Sequence, residues 1–113
     1  MMIVTAIAVL IGALSCAAEP NPFLVAGPRG EPVPAVVVAS CNLAHVRCSR
    51  CHTLDRVLEA RVTEPADWRR YVRRMRLMPD SAIKSAEEPA LVRCLVFHTS
   101  GNAGLVRMSR ESP

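Results

Sequence analysis

The chain has 113 residues, a length that predicts a single domain. Hydrophobic residues make up 50% of it but aromatic residues only 4%, and part of the apolar share belongs to the N-terminus rather than to a core. The net charge of +4 comes almost entirely from arginine, and no nucleic-acid-binding motif accompanies it, which argues against nucleic acid as a partner. A domain this small needs a cofactor, a metal or disulfides to complete its core.

The N-terminus carries an export signal. Residues 1–15 form an apolar run that ends in small residues, which predicts a signal peptide although no Lys or Arg precedes the run. The run is too short for a transmembrane helix. Its end, Ala13-Leu14-Ser15-Cys16, is similar to a bacterial lipobox, so Cys16 is a candidate for lipidation. A cut after Ala18 would release a soluble protein instead.

Residues 16–34 are rich in proline. Five of the nine prolines of the chain lie between Glu19 and Pro34, and two glycines separate them. This composition favours an extended backbone without a packed core. We therefore expect a flexible linker between the export signal and the domain.

The run Cys48-Ser49-Arg50-Cys51-His52 has the spacing C-x-x-C-H. Two thiols three residues apart can each add to one vinyl group of the same porphyrin, and the histidine that follows is then placed as proximal ligand of the iron. We therefore interpret Cys48 and Cys51 as the attachment residues of one haem c, and His52 as an iron ligand.

Two other interpretations of the motif find less support. A zinc site needs a second pair of ligands at useful spacing, which the remaining Cys and His residues do not form. A thioredoxin-like redox motif needs a preceding strand and a βαβ pattern, and the sequence has neither. The sequence also contains no catalytic triad, phosphate loop or paired carboxylates, so we predict no enzymatic activity of its own.

Helical patterns follow the linker. Val37, Cys41, Ala44 and Cys48 are spaced by four, three and four residues, which places them on one face of a first helix that begins near Pro34. A shorter helical stretch is expected within residues 54–62.

Two further helices are predicted. Thr63 is a candidate N-cap with Pro65 in the first turn, and Pro79 follows the end of that helix. Ser85-Ala86-Glu87-Glu88 has the pattern of a capping box for a last helix that stops at Gly101. Residues 102–113 are then expected to form a flexible tail.

The motifs together resemble the small monohaem cytochrome c domains of bacteria. The similarity covers about residues 36–97, and it is carried by Cys48-x-x-Cys51-His52-x-Leu54-x-Arg56-Val57, by Arg61, by Trp68-x-x-x-Val72-x-Arg74-Met75 and by Glu88. The resemblance implies an all-α domain over residues 35–101, with three to four helices packed around one covalently bound haem. It also implies export, because bacteria attach haem to such motifs outside the cytoplasm.

The resemblance further implies the iron ligands. His52 carries over as the proximal ligand, and the family pattern points to a methionine on the distal side, which favours reduced iron. Met75 matches that position, and Met78, which precedes a proline, is its rival. His45 lies on the same helix as the motif and His98 near the end of the last helix, so a bis-histidine site is disfavoured.

Other residues acquire roles from the same resemblance. Arg56 and Arg61 are candidates to pair with haem propionates, and Trp68 either packs at the haem or fills the core. The first and last helices cross beside the haem in this family. A Cys41–Cys94 disulfide at that crossing is therefore our hypothesis, with two buried thiols as the alternative.

The predicted function is transfer of single electrons by an exported carrier with His/Met ligation. A haem-bearing relay subunit of an exported dehydrogenase or respiratory complex is an alternative, and a ligand-binding haem sensor is another. The arginines around the motif favour redox partners with an acidic surface. The expected location is the periplasm or the cell surface, with membrane attachment if Cys16 is lipidated.

Overall fold

Four α-helices follow one another along the described part of the computed structural model, which comprises Gly12 and residues 20–111. They are α1 (Ala35–Cys48), α2 (Asp55–Leu58), α3 (Pro65–Arg76) and α4 (Glu88–Glu111), and a 3₁₀ turn (Ser85–Glu87) precedes α4. These residues contain no strand, so the predicted all-α class is confirmed. None of the described helices is long and apolar enough to cross a membrane. Gly12 apart, the predicted signal peptide and Cys16 lie outside the described residues.

Helix α1 has the predicted buried face. Val37, Cys41 and Ala44 are fully buried, and Cys48 is 5% exposed. Pro34 caps the helix with an extended conformation, φ −62° and ψ 150°, which suits its restricted φ. The spacing of four, three and four residues was sufficient to locate this helix because it places all four side chains on the side that faces α4.

A disulfide joins α1 to α4. The sulfur atoms of Cys41 and Cys94 are 2.13 Å apart and the two Cα atoms 4.9 Å apart, so the predicted pairing is confirmed. Both residues are fully buried, beside Leu91 and Leu95 of the core. Disulfides persist in oxidising compartments, which is consistent with a location outside the cytoplasm.

Helix α3 packs its aromatic face against α4. It begins at Pro65 with Glu64 rather than Thr63 as N-cap, and no side chain caps it. Trp68 is fully buried, and its indole N–H donates a hydrogen bond of 3.0 Å to the hydroxyl of Thr99 on α4. Trp68 therefore fills the core, which is the second of its two predicted roles.

The proline-rich segment packs on the helices, which corrects the expectation of an extended linker up to residue 34. Phe23 is fully buried and meets the ring of His98 edge-to-face, with 5.8 Å between the ring centroids. The side chain of Asn21 donates a hydrogen bond of 3.0 Å to the carbonyl of Cys41. Prolines do not prevent packing here because a single aromatic ring supplies the apolar contact.

The predicted flexible tail is wrong for residues 102–111, because α4 continues through them to Glu111. The helix changes direction at Gly101, whose φ of 60° and ψ of −151° suit a glycine. The resumed helix packs Leu105 and Met108 against the core. The domain therefore extends beyond residue 101.

Candidate functional site

A cleft of about 230 Å³ opens beside the end of α1. It contains all the residues predicted to bind the cofactor, and the full lining is Arg47, Cys48, Cys51, His52, Arg56, Met75, Met78, Pro79, Ser81 and Ile83. These residues come from α1, from the turn after it, from α2, from α3 and from the loop before α4. The cleft is the meeting point of segments that are distant in sequence.

Two cysteines of the cleft carry free thiols. Cys48 is the last residue of α1 and is buried, whereas Cys51 lies in the turn that follows and is exposed. Burial raises the pKa of the Cys48 thiol to about 11, so this sulfur is protonated at neutral pH. The described chain thus holds one disulfide and, separately, two reduced sulfurs that face a common cleft.

His52 is oriented by the backbone. Its Nδ1 lies 2.7 Å from the carbonyl oxygen of Thr53, and a carbonyl only accepts hydrogen bonds. Nδ1 therefore carries the hydrogen, and in the neutral ring Nε2 keeps its lone pair. Metal-binding histidines typically use this arrangement, in which the second ring nitrogen donates to a carbonyl or carboxylate.

Both candidate methionines border the cleft. Met75, on α3, is partly buried and packs against the core, whereas Met78, in the turn after α3, is 60% exposed. A small inner cavity shares Cys48, Met75 and Ile83 with the cleft and reaches Leu91 and Leu95 of α4. Met75 therefore forms part of the inner wall, and Met78 part of the rim.

The arginines at and near the cleft differ in their hydrogen-bond partners and in their exposure. Arg47 forms two hydrogen bonds of 2.8 Å to the carboxylate of Glu87, and this contact lowers the pKa of Glu87. Arg50 donates to the carbonyl of Asp80, 3.1 Å away, and so joins the motif turn to the loop after α3. Arg56 borders the cleft with an exposed side chain and is the candidate propionate partner found there, whereas Arg61 does not line the cleft.

Met78 apart, the residues of the loop after α3 that line the cleft were not predicted as part of the site. Ser81 donates a hydrogen bond of 2.8 Å to the carbonyl of Arg76, and the two neighbours of Ser81, Asp80 and Ala82, both have positive φ. This backbone turns Ser81 and Ile83 towards the cleft. The sequence signals it only weakly, because Asp80 belongs to a residue type that tolerates positive φ whereas Ala82 does not.

The other predicted candidates lie elsewhere. Neither His45 nor His98 lines the cleft. His98 packs on Phe23 with its Nδ1 buried and without a hydrogen-bond partner, and burial lowers its pKa.

The residues of the cleft fit a haem by their chemistry. The two thiols can add to the vinyl groups of a haem, and an imidazole and a thioether are donors that suit its iron. Among the described residues, no group of three or more His, Cys, Asp or Glu side chains is placed to hold a bare metal ion. The volume of about 230 Å³ lies below the range of about 300–1,000 Å³ typical of ligand pockets, so a porphyrin would leave one edge exposed.

Comparison with known proteins gives no relative for this chain. No family model, no curated protein and no solved structure matches it.

Proposed function

We propose that this protein is an exported c-type cytochrome that transfers single electrons through one covalently attached haem. One observation carries the proposal: the fold brings two free thiols, an imidazole with a free Nε2 and a thioether to a single cleft. A cytochrome c uses two thiols to attach the porphyrin, and an imidazole and a thioether to bind the iron.

Each residue has a distinct role in the proposal. Cys48 and Cys51 would hold the haem, because each S–H can add across one vinyl group to give a thioether bond with no leaving group. His52 donates the Nε2 lone pair to the iron, while Thr53 holds the other ring nitrogen. Met75 is the sixth ligand. When bound, the haem supplies an iron that alternates between the ferrous and ferric states.

The surroundings of the cleft support electron transfer rather than catalysis. A methionine sulfur as sixth ligand stabilises reduced iron and leaves no coordination position for a substrate. The apolar inner wall, which Met75 and Ile83 form with Leu91 and Leu95, restricts access of water. The Cys41–Cys94 disulfide agrees with maturation in the oxidising compartment where such haems are attached.

The test is an absorption spectrum of the full chain produced in a host that attaches haem in its periplasm. We expect covalent haem with sharp low-spin reduced bands and with the weak far-red band of methionine bound to ferric iron. Cys48→Ser and Cys51→Ser should each retain one thioether bond, and the double variant should lose covalent haem. A chain without covalent haem would overturn the proposal, and binding of carbon monoxide to a high-spin reduced form would favour the sensor instead.

A further inference from the structure

A second groove, of about 370 Å³, lies between α3 and α4. Its lining consists of Arg69, Arg70, Arg73, Ser85, Glu88, Pro89, Val92 and Met108. None of these residues borders the cleft around His52. The groove is therefore a separate surface, on a different side of α3 from Met75.

Two ion pairs mark the ends of this groove. Arg69 pairs with Glu111 at 3.0 Å, and Arg76 pairs with Glu88. Arg73 lies four residues after Arg69 and three before Arg76, so the three guanidinium groups follow one side of α3. Arg70, which also lines the groove, pairs with Asp67. Unlike Arg69, Arg70 and Arg76, Arg73 has no acidic partner among residues 20–111, and its side chain is exposed.

The floor beneath Arg73 is apolar. Val92 and Pro89 of α4 line it, and Val92 is 2% exposed. The groove thus combines one uncompensated guanidinium with an apolar floor, between two arginines whose charges Glu88 and Glu111 already neutralise. A ligand that fits it carries a carboxylate next to an apolar group.

We propose that this groove binds an acidic segment of a partner protein. One carboxylate of the segment forms a charge-assisted, two-pronged hydrogen bond with Arg73, and a neighbouring apolar side chain packs on the exposed ring of Pro89. The carboxylates of a peptide are spaced apart, so one of them can reach Arg73 without a second one lying against Glu88 or Glu111. A membrane surface or a nucleic acid would instead place a continuous row of phosphates against those two carboxylates.

This inference extends beyond the proposed electron transfer, because it names a partner and a surface that contain no residue of the cleft. The test does not depend on haem: the groove and the cleft can fail separately. The proposed contact also differs from general attraction by net charge, because the affinity should depend on one arginine of α3, Arg73.

The experiment is isothermal titration calorimetry of the full-length purified protein at low ionic strength. The probe is a synthetic peptide of alternating glutamate and leucine, and the same peptide with glutamine is its control. We expect binding of the glutamate peptide only, and we expect Arg73→Gln to weaken it about tenfold, as loss of a hydrogen bond between charged groups does.

Arg74→Gln is the matched control. It removes the same charge from the same helix, but Arg74 lies over the ring of Tyr71, 5.9 Å from its centroid, and does not line the groove. We expect Arg74→Gln to weaken binding about twofold at most, as loss of an exposed charge does. Circular dichroism of both variants checks that they are folded.

Three outcomes would overturn the proposal. Equal losses of peptide affinity in Arg73→Gln and Arg74→Gln would show that the peptide is attracted only by the net charge of the protein. Absence of binding to the glutamate peptide would contradict the proposal directly. Tighter binding to phosphatidylglycerol vesicles than to the peptide, lost in Arg73→Gln, would reassign the groove to an anionic membrane surface.

Discussion

One backbone contact orients the ring of His52. The carbonyl that fixes its tautomer belongs to the next residue, Thr53, so no distant side chain is needed to orient the ring. A backbone acceptor cannot be removed by substitution of Thr53. The orientation of the His52 ring is therefore set by the backbone of the turn after α1.

The first prediction for single residues concerns which methionine, Met75 or Met78, binds the iron of the proposed haem. We expect Met75→Ala to abolish the far-red band of the oxidised protein and to lower its reduction potential, because the iron loses its soft ligand. Met78→Ala should leave both unchanged. Absorption spectroscopy and redox titration of the two variants measure this.

The two variants are each other's control, since both remove one methionine from the same cleft. The opposite pattern would assign the ligand to Met78. Absence of the far-red band from the protein without substitutions would contradict methionine ligation altogether, and its retention in both variants would assign the ligand to another methionine.

At the scale of elements, the crossing of α1 and α4 depends on the Cys41–Cys94 bond. The two residues are separated by 53 positions. We expect the double variant Cys41→Ala/Cys94→Ala to lower the free energy of unfolding by about 4 kcal/mol, because the disulfide restricts the unfolded chain over a loop of this length. Denaturant titration followed by circular dichroism measures the change.

Wild-type protein treated with a reductant is the control for this variant. Both samples lack the same bond, so their unfolding midpoints should coincide. A loss below about 1 kcal/mol in the double variant would show that α1 and α4 hold together by packing alone.

The N-terminal segment gives the second prediction at the element scale. Phe23→Ala should destabilise the domain by about 3–5 kcal/mol, as removal of a buried phenylalanine side chain does. It should also make the segment before α1 accessible to protease. Denaturant titration and limited proteolysis measure the two effects.

Leu24→Ala is the matched control, because Leu24 adjoins Phe23 in sequence but is 36% exposed. Its effect should be within about 0.5 kcal/mol. Equal effects of both substitutions would contradict the docking of this segment through the Phe23 ring.

The same elements show what the sequence could predict. Helix α1 was found from the spacing of Val37, Cys41, Ala44 and Cys48, because a single buried face repeats with the helical period. The disulfide was inferred from the resemblance to a family in which the first and last helices cross. The four cofactor residues were named from one motif and one matched methionine, and the fold brings all of them to the same cleft.

The predictions from local sequence were wrong at both ends of the domain, for the linker before α1 and for the tail after Gly101. The segment before α1 was predicted to be a linker because of its proline content, and one aromatic residue, Phe23, changes that average composition little. Gly101 was interpreted as a helix stop, but a glycine with positive φ also permits a change of direction after which the helix resumes. Packing of Leu105 and Met108 on the core decides between these outcomes, and packing between distant segments is not visible locally.

At the scale of the whole molecule, the burial of His98 couples stability to pH. Burial lowers the pKa of His98 below its ordinary value of 6.5. As the pH falls through that value, the unfolded chain binds a proton before the folded one does, so folding loses stability. We expect full stability above about pH 6.5 and a decline below it.

Unfolding titrations at neutral and acidic pH measure this dependence. His98→Gln should reduce the decline, because glutamine binds no proton over this range. An unchanged slope in the variant would show that other groups are responsible for the acid sensitivity.

The Cys41–Cys94 bond has one more consequence for the whole molecule. All residues of the cleft fall between these two positions, so the disulfide closes a covalent ring around them. The exposed residues Leu77 and Met78 offer a protease a place to cut within that ring. A molecule cut there would keep both fragments together, migrate as one chain in a denaturing gel and separate only when a reductant is added.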